Sequence, residues 1–528
     1  MLDDLTSVEF LLSVTFAGRT FYFSTRPVVL LDERGEPIQY RGGLEANWTD
    51  ALNLFNESPT LLSVPLELFF PEDVAELISR GHDLWRGTGE LSLWIEGRPY
   101  EDRVVLIDGF MTEPSYGAKG EAVKFSLEAN GFQDSALTHS QTERVSLDTW
   151  PTPAENAIDA YYPIVFGTPG AYTLADGSSA TTYGSPAPVC QGVLPNCVAI
   201  AAGHSVEATE VTVFNVSQFP VASDVVPIVE TVDSLGQVVS PVSLAAAALS
   251  FSPGDSIFIA WNRDGGGAWN TKRTDTISGA GELIAYFLNL SSLKVDTGVG
   301  RTLSPYLDSN FKFAGYVNNA VKPWEFLARN VLSFLPLSVY ATGEGVHASL
   351  WRREAEKSAA VGTITTGGGV CRSGPVQYEK QDIYNNIRFD FVHNASEGQT
   401  LRSVGVIGDH EPTRAESGLF STEYSRASYF RYGSKSLTLA SKYIYESATA
   451  QNILQWKHRA AAFPYRVISY DVPIRMGFLR RGDLILLTDP EIYLSEYLAL
   501  VRNIEWKDGK PRLSLVLIDD PPRENRLN

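Results

Sequence analysis

The chain has seven histidines, His82, His139, His204, His347, His393, His410 and His458, the side chains best suited to bind a transition metal or move a proton near neutral pH. No two of them form a His-Glu-x-x-His pair or another close two-ligand spacing, and His410-Glu411 runs into Pro412 with no second histidine, so a zinc hydrolase is not expected. Gly203-His204-Ser205-Val206-Glu207 partly resembles a serine-hydrolase elbow. Glu207 stands where the sharp strand-to-helix turn needs glycine, so the match reads as chance. There is no phosphate-cradling Gly-Lys-Ser/Thr loop and no dinucleotide-binding glycine pattern before a helix. Glu72/Asp73 and Asp519/Asp520 are paired acids, but a chain with 62 acidic residues contains such pairs by number alone. They read as helix-start and loop acids rather than carboxylates facing across a sugar cleft. Asp264-Gly265-Gly266-Gly267 lacks the alternating oxygen ligands of a calcium loop. Arg480-Arg481-Gly482-Asp483 contains an Arg-Gly-Asp tripeptide, yet it falls between two expected strands, where Gly482 and Asp483 make a turn and the arginines face solvent. No catalytic, metal-binding or cofactor-binding residue is assigned, and no cofactor is expected.

The elements that would have to position such residues are mostly strands. At 528 residues the chain exceeds the size of one hydrophobic core, so about three or four domains are expected. An aromatic share of 11% with abundant Val, Leu, Thr and Tyr favours β structure. The opening Met1–Ser7 has no basic and apolar leader pattern, and the longest apolar run, Val242–Phe251, is too short for a bilayer. Neither a secretory signal nor a membrane span is expected. Cys190, Cys197 and Cys371 are too few for a disulfide scaffold; a Cys190–Cys197 bond remains open, with reduced cysteines the simpler reading.

The formal charge of −19 disfavours affinity for nucleic acid through phosphate neutralisation, while suiting the wall of a channel to which DNA must not stick. Between Val145 and Asn262 there is no lysine or arginine, although ten acidic residues occur there. Such a shift marks an inserted unit. Its β-prone runs, Val198–Ala202, Glu210–Val216 and Ser256–Trp261, separated by Gly, Pro, Ser and Asp clusters, fit a small β-sandwich or open β-roll.

Two stretches look like copies of one β-rich module. In the first, Leu61–Phe70 leads into a short helix at Pro71–Gly81, then come Leu91–Ile95, Val104–Phe110 and Val123–Ala129; Gly97-Arg98 is a turn. The second begins with a helix over Ala448–Ala461 capped by Ser447, followed by Val467–Ile474, Leu484–Thr488, Tyr497–Trp506 and Leu513–Ile518. Asp508-Gly509 is the two-residue hairpin signal between the last two. Between the modules, helices are expected over Gly281–Leu290 and from Pro323 to Leu335, with Pro336 as the stop. A hairpin of Leu337–Ala341 with His347–Arg352 follows, and Gly367–Gly369 is a linker or tight loop. The expected fold class is mainly β with a few short helices (α+β). It divides into a first β-barrel-like domain (1–140), an inserted Lys/Arg-free β domain (141–275), a mixed helix/strand middle domain (276–375) and a second β-barrel-like domain (376–528).

Tyr384-Asn385-Asn386-Ile387-Arg388-Phe389, Ser421-Thr422, Tyr432-Gly433, the helix Ala448–Ala461 and Arg481-Gly482-Asp483-Leu484 through Asp489 occur in the order found in the tail-hub or tail-tip proteins of tailed bacteriophages, which this chain resembles. Trp324–Leu335 and Tyr162-Pro163-Ile164-Val165-Phe166-Gly167 add to the likeness. The resemblance implies a structural virion protein rather than an enzyme. It would be a homotrimeric baseplate hub at the distal end of the tail, its two modules per subunit presenting six nearly equivalent positions to a six-fold tube. Implied partners are further copies of the chain, the distal tail or tail tube protein above, and a tail fibre or central tip protein below. DNA would pass through the ring without stable binding, and assembly would precede release from the host cytoplasm. The competing expectations are a tail-associated cell-wall or glycan hydrolase, a distal tail adaptor ring and a receptor-binding protein. Gly482, Asp483, Asp508 and Gly509 are the structural turn residues of the second module.

Overall fold

The computed structural model describes residues 7–46, 48–51, 63–69, 72–82, 84–116, 122–129, 136–174, 176–193, 196–247, 249–252, 254–261, 277–291, 305–342, 345–350, 357–378, 382–408, 419–477, 479–507 and 510–518. The protein is mainly β, with few and short helices.

The N-terminal sheet is built from β1 (Val8–Phe16), β2 (Arg19–Ser24), β3 (Val28–Leu31), β4 (Pro37–Gly42), β5 (Leu44–Ala46), β7 (Ser63–Phe69), β8 (Thr88–Ile95), β9 (Val104–Met111) and β10 (Ala122–Ala129). Its curved part runs β1-β8-β9-β10-β7-β5, and β5 comes back against β1. Apolar residues alternate along these strands as a one-sided sheet requires. Phe10, Leu12, Val14 and Phe16, then Leu91 and Leu93, then Val123, Phe125 and Leu127, all point to one buried side. The opposite face of β1 and β8 is also covered, because β3 and β4 fold over it and bury Leu11 and Trp94 with Leu30 and Tyr40. That is why Phe10, Leu11 and Leu12 are buried in succession, where a half-exposed strand would alternate.

A second sheet uses β11 (Gly362–Thr365), β12 (Cys371–Arg372), β13 (Arg466–Asp471), β14 (Leu484–Asp489), β15 (Leu494–Lys507) and β16 (Lys510–Leu517). It runs β11-β14-β15-β16-β13-β12. Counted over the six strands of the curved part of the first sheet and over β11 to β16 in the second, both follow the order first, fourth, fifth, sixth, third, second. They differ in one direction: β1 is antiparallel to β8, whereas β11 is parallel to β14. Gly367 and Val370 pair with each other, so the two edge strands β11 and β12 are joined by a tight turn and the sheet curls toward closure. One face carries Ile485, Leu487, Ala499, Val501, Leu513 and Leu515 into the same core that the N-terminal sheet fills. The alternate residues Leu498, Leu500, Val516 and Val467 face Ala460 and Trp456 at the end of the long helix Ser447–Ala461.

The two sheets are also stitched directly. β6 (Trp48–Ala51), which belongs in sequence to the first module, pairs with the C-terminal half of β15 from Asn503↔Ala51 to Trp506↔Trp48. The pairing starts just past a bulge in β15 between Val501 and Asn503, the kind of irregularity that bends a strand locally.

The Lys/Arg-free segment forms two four-stranded sheets. One is Ser185–Pro186, Ile257–Trp261, Glu210–Asn215 and Ala222–Pro227; the other is Val189–Gln191, Val198–Ala202, Val238–Ser243 and Thr231–Val232. Its apolar interior is continuous with that of the middle region and of the strands Asn386–Asn394 and Gln399–Val406, so one core extends from Val145 to Leu454. In the middle region, the helix Ala280–Leu290 receives its N-terminal cap from Asp308, whose Oδ1 accepts the amides of Gly281 at 2.7 Å and Glu282 at 3.1 Å.

Several local expectations need adjustment. The helix from Pro323 stops at Asn330 and continues as a 3-10 turn, Leu332–Phe334, since Pro336 disfavours helical backbone at the residue before it. Ser447 is the first helical residue and Glu446 is the cap position. The helices of the two modules are not equivalent: Glu72–Ser79 lies between the third and fourth strands of its sheet, whereas Ser447–Ala461 precedes the third strand of the other, whose third and fourth strands are joined through a 3-10 turn, Ile474–Met476. Tyr384–Phe389 contributes to a separate four-stranded sheet, Leu419–Phe420, Gln399–Val406, Asn386–Asn394 and Ser436–Ala440. Gly362–Thr365, by contrast, joins the second curved sheet.

The turn before β14 follows the sequence logic closely. Gly482 has φ +86°, Asp483 N–H donates to the Arg480 carbonyl at 3.0 Å, and the Asp483 carboxylate accepts the Arg480 amide at 2.7 Å. Only glycine takes that φ without strain. Arg480 is exposed, but Arg481 is buried, unlike the solvent-facing pair expected, because the turn directs it back against the sheet. Asp508 and Gly509 lie outside the described residues; Lys507 pairs with Lys510 across them. Replacing Gly482 by valine should cost about 1–3 kcal/mol and lower the urea midpoint, with Gly482→Asn costing less. An unchanged midpoint for the valine variant would remove the turn from the list of fold determinants.

Candidate functional site

Among the described side chains, four histidines are buried, each held by structural contacts. His204 accepts the Val165 amide on Nε2 at 2.9 Å and donates from Nδ1 to the Ser205 carbonyl at 2.8 Å, which fixes it as a neutral crossbar. Burial pushes its pKa down to about 4. The segment around Ser205 follows a strand but enters no helix, so the elbow expected to be accidental has no elbow geometry. His139 bonds to the Tyr162 carbonyl at 2.8 Å and to Thr138 at 3.0 Å, and burial lowers its pKa. His458 sits edge-on to Tyr424 inside the long helix's buried face, where burial and then the neighbouring Arg459 charge lower its pKa to about 4. His393 is buried beside Lys442; burial first, and that charge second, disfavour its protonation. His82 is exposed. His410, Glu411, Asp264–Gly267 and Asp519/Asp520 lie outside the described residues, as do the side chains of His347, Glu72 and Asp73. Among the described residues no three His, Cys, Asp or Glu side chains cluster as metal ligands, and no helix is long and apolar enough to cross a membrane. Cys190 and Cys197 are free and buried, and Cys371 is free and exposed.

The residues that carried the family resemblance turn out to be clamps. Asn385 is fully buried and spends its amide on three partners: Nδ2 donates to the Gly433 carbonyl at 2.8 Å and Ser428 Oγ at 3.3 Å, and Oδ1 accepts the Lys435 amide at 2.9 Å. Asn386 reaches the other way, accepting the Gly408 amide at 2.7 Å and donating to Ser434 Oγ at 2.8 Å. Together they fasten the strand Asn386–Asn394 to the turn after the helix Glu423–Tyr432, where Gly433 has φ +72°. That helix opens on a reciprocal capping box between Thr422 and Ser425. Near the insertion, Trp150 Nε1 donates to Tyr162 Oη at 3.0 Å and Tyr162 Oη donates to Asp233 at 2.9 Å. The same Asp233 carboxylate accepts the Leu235 and Gln237 amides, each at 2.9 Å. The Tyr-Pro motif therefore locks the inserted sheets to the chain that enters them. In the second curved sheet, Asp489, fully buried, accepts from Tyr470 at 2.8 Å and pairs with Arg372 at 3.4 Å. Arg372 also reaches Glu491 at 2.9 Å and so binds the closing strand β12 to β14. These are spacings that hold elements in place.

One feature was missed from sequence. A cleft of about 310 Å³ lies between Tyr316, Phe326 and Tyr443, with His393 in its lining and Arg329 and Lys442 exposed beside it. Its residues come from three separated stretches, so no local pattern announces it. A run of exposed apolar residues lies elsewhere: Val225 and Val232 in the edge strands of the inserted sheets, and Phe219, Val221, Val229 and Leu235 in the chain beside them. Phe430 and Tyr493 project singly from the C-terminal half.

Stability should depend on pH through the buried neutral histidines. Their folded pKa values lie below the unfolded value of 6.5, so the unfolded chain binds more protons and each such group destabilises the fold as pH falls from 6.5 toward 4. His204 and His458 should each contribute a loss of about 1.4 kcal/mol per pH unit inside that window. Urea titrations at pH 7, 6 and 5 should show a shallower loss for His458→Gln than for the unaltered chain; an identical slope would mean that His458 takes up protons in the fold as it does in the unfolded chain.

No protein-family model matches the chain, and no curated protein matches it. Among solved structures it is similar to a tail protein from Neisseria meningitidis, at 8% identity and a TM-score of 0.36, covering 97% of both chains. It is also similar to a prophage tail protein from Shewanella oneidensis, at 10% identity and a TM-score of 0.38, covering 96% of this chain and 98% of that one. A prophage tail protein from Listeria monocytogenes aligns at 7% identity with a TM-score of 0.30, covering 98% of this chain and 95% of that one. Along nearly its whole length, then, this chain is similar to tail proteins, with loose superposition at each of these scores.

Proposed function

We propose that the chain is a non-enzymatic structural protein of a phage virion, a homotrimeric hub at the distal end of the tail that adapts a six-fold tube to a three-fold tip and surrounds the DNA channel. The observation that carries this reading is the strand order, which is the same in two curved sheets of one subunit, together with the single core between them. Three subunits carrying two like-shaped bodies each present six similar positions to a six-fold neighbour. The shared core and the β6–β15 pairing fix the spacing of the two bodies, which a ring of set diameter requires.

In this reading the first module is the N-terminal sheet, within residues 1–140. The second combines 357–378 with 466–518, and the helix-and-sheet unit of 382–461 is carried between them. The Lys/Arg-free unit, within 141–275, and the middle region, expected to run to 375 but here ending by 350 because 357–378 joins the second sheet, project from this ring and share their interior with that unit. Gly482 and Asp483, with Asp508 and Gly509, shape the turns that set the second module's strand register. The tube or distal tail protein is the partner on one side and a fibre or central tip protein on the other, and DNA passes without being held. The buried histidines, each spent on a structural bond or an apolar pocket, support a role without catalysis.

Mass photometry of the purified chain, and imaging of whole tails where the isolated chain stays monomeric, should show three copies around a central hole with both curved sheets bordering it. A ring of another order, or sheets placed away from the bore, would refute the hub. A zymogram on host cell walls should show no clearing by this chain; clearing would move the assignment to a tail-associated hydrolase.

A further inference from the structure

We propose that the cleft beside His393 is an assembly socket that receives an acidic side chain from a second copy of this chain, and that Glu230 on the Lys/Arg-free insertion is that side chain. This deepens the trimer reading and rests on it.

The socket is cationic in a chain of net charge −19. Arg329 and Lys442 both line it, and neither has a carboxylate partner among the described residues, while the acid in the same wall, Glu325, lies 3.9 Å from Lys322. The surrounding chain has the same sign: residues 421–470 carry seven Lys or Arg against two Glu. Asn318, Asn319 and Asn330 add amide groups, and Tyr316 and Tyr443 supply aromatic walls. A guanidinium, an ammonium and amide donors converging on one hollow recognise a carboxylate, and the aromatic walls favour one presented between apolar neighbours.

The insertion offers such a group. It contains ten acids and no base, so its field is complementary to that of the socket. Glu230 is exposed, has no ion-pair partner among the described residues, and stands between Val229 at 65% exposure and Val232 at 58%. Thr231–Val232 is the edge strand of its sheet. No hydrogen bond or ion pair joins Glu230 to the socket within one chain among the described residues. The two patches differ, so pairing them between copies is head to tail, the arrangement that closes into a ring when each copy turns by a third of a circle.

The test is a charge swap read by sedimentation over a range of concentration and salt. Lys442→Glu and Glu230→Lys should each weaken self-association about 10-fold or more, and the two together should restore it to within about 3-fold. A Lys442→Cys, Glu230→Cys chain in a Cys371→Ser background should form covalent dimers and trimers on mild oxidation, while either single cysteine should not. If the unaltered chain forms trimers that the single reversals leave unchanged, the socket is overturned and the trimer stands. If the chain is single both in solution and in imaged tails, the trimer reading falls and takes the socket with it. Galacturonate, as a free carboxylate probe, separates a last case: saturable binding lost in Lys442→Glu, with association unaffected by that change, would assign the cleft to a sugar acid and overturn the proposal.

Discussion

The structure depends on one burial problem shared by two sheets. Each curved sheet has an apolar face too large to leave in water, and each uses the other to cover part of it, so that Phe10, Leu66 and Phe125 belong to one cluster with Tyr470, Leu487 and Trp506. A fully buried side chain of this size contributes roughly 1.5–3 kcal/mol relative to exposure, and a cluster of this extent outweighs any single hydrogen bond in the molecule. The consequence is geometric as well as energetic. Residues near position 50 and near position 505 are held in one hydrogen-bonded register, and everything between them is a long excursion that must leave and re-enter the same frame.

The excursion is built to the same rule. The inserted sheets, the middle helices and the strands after Asn385 lack separate cores and close around a common one. Polar clamps then fix orientation where apolar contact alone would allow sliding. Trp456 Nε1 donates to the Phe334 carbonyl at 2.7 Å, Asn452 donates to the Asn310 carbonyl at 2.8 Å, and Thr449 Oγ1 accepts the Lys312 amide at 2.9 Å. All three lie on the helix Ser447–Ala461, whose other end packs under the second curved sheet. That helix is therefore the beam between the second curved sheet and the middle region. Its buried His458 is neutral at physiological pH, so the beam carries an aromatic contact instead of a buried charge.

Much of this was legible in the sequence, and the division is physical. Strands with alternating apolar residues, such as Leu484–Asp489 and Ala122–Ala129, appear within a residue or two of their expected bounds, because period-two alternation is a local signal. The inserted strands Val198–Ala202 and Glu210–Asn215 were readable for the same reason. What could not be read is set by contacts distant in sequence. No local pattern tells that Trp48–Ala51 joins Asn503 to Trp506 near the other end of the chain, or that Gly362–Thr365 belongs to the second sheet while the strand beginning at Asn386 does not. Arg481 was expected outside because arginine usually is, and its burial follows from how the Gly482 turn is oriented against β15. The cleft was invisible because its lining gathers from three stretches, one of them the single residue His393.

The same separation bears on why motifs in this chain are loose. A catalytic site fixes the identity of atoms, and so leaves dense sequence marks; a clamp fixes only donor, acceptor and reach. Asn385 could be replaced by another arrangement that satisfies the Gly433 carbonyl and the Lys435 amide, provided the turn kept its shape. Tail architecture of the kind proposed needs the spacing of two bodies and the direction of a few projecting units, both of which are set by core shape and by strand register. Sequence can then drift far while the sheet order persists. On this view the polar residues that remain most constrained are those buried with every partner fixed, Asn385, Asp233 and Asp489, since removing one leaves several backbone or side-chain groups unpaired at once.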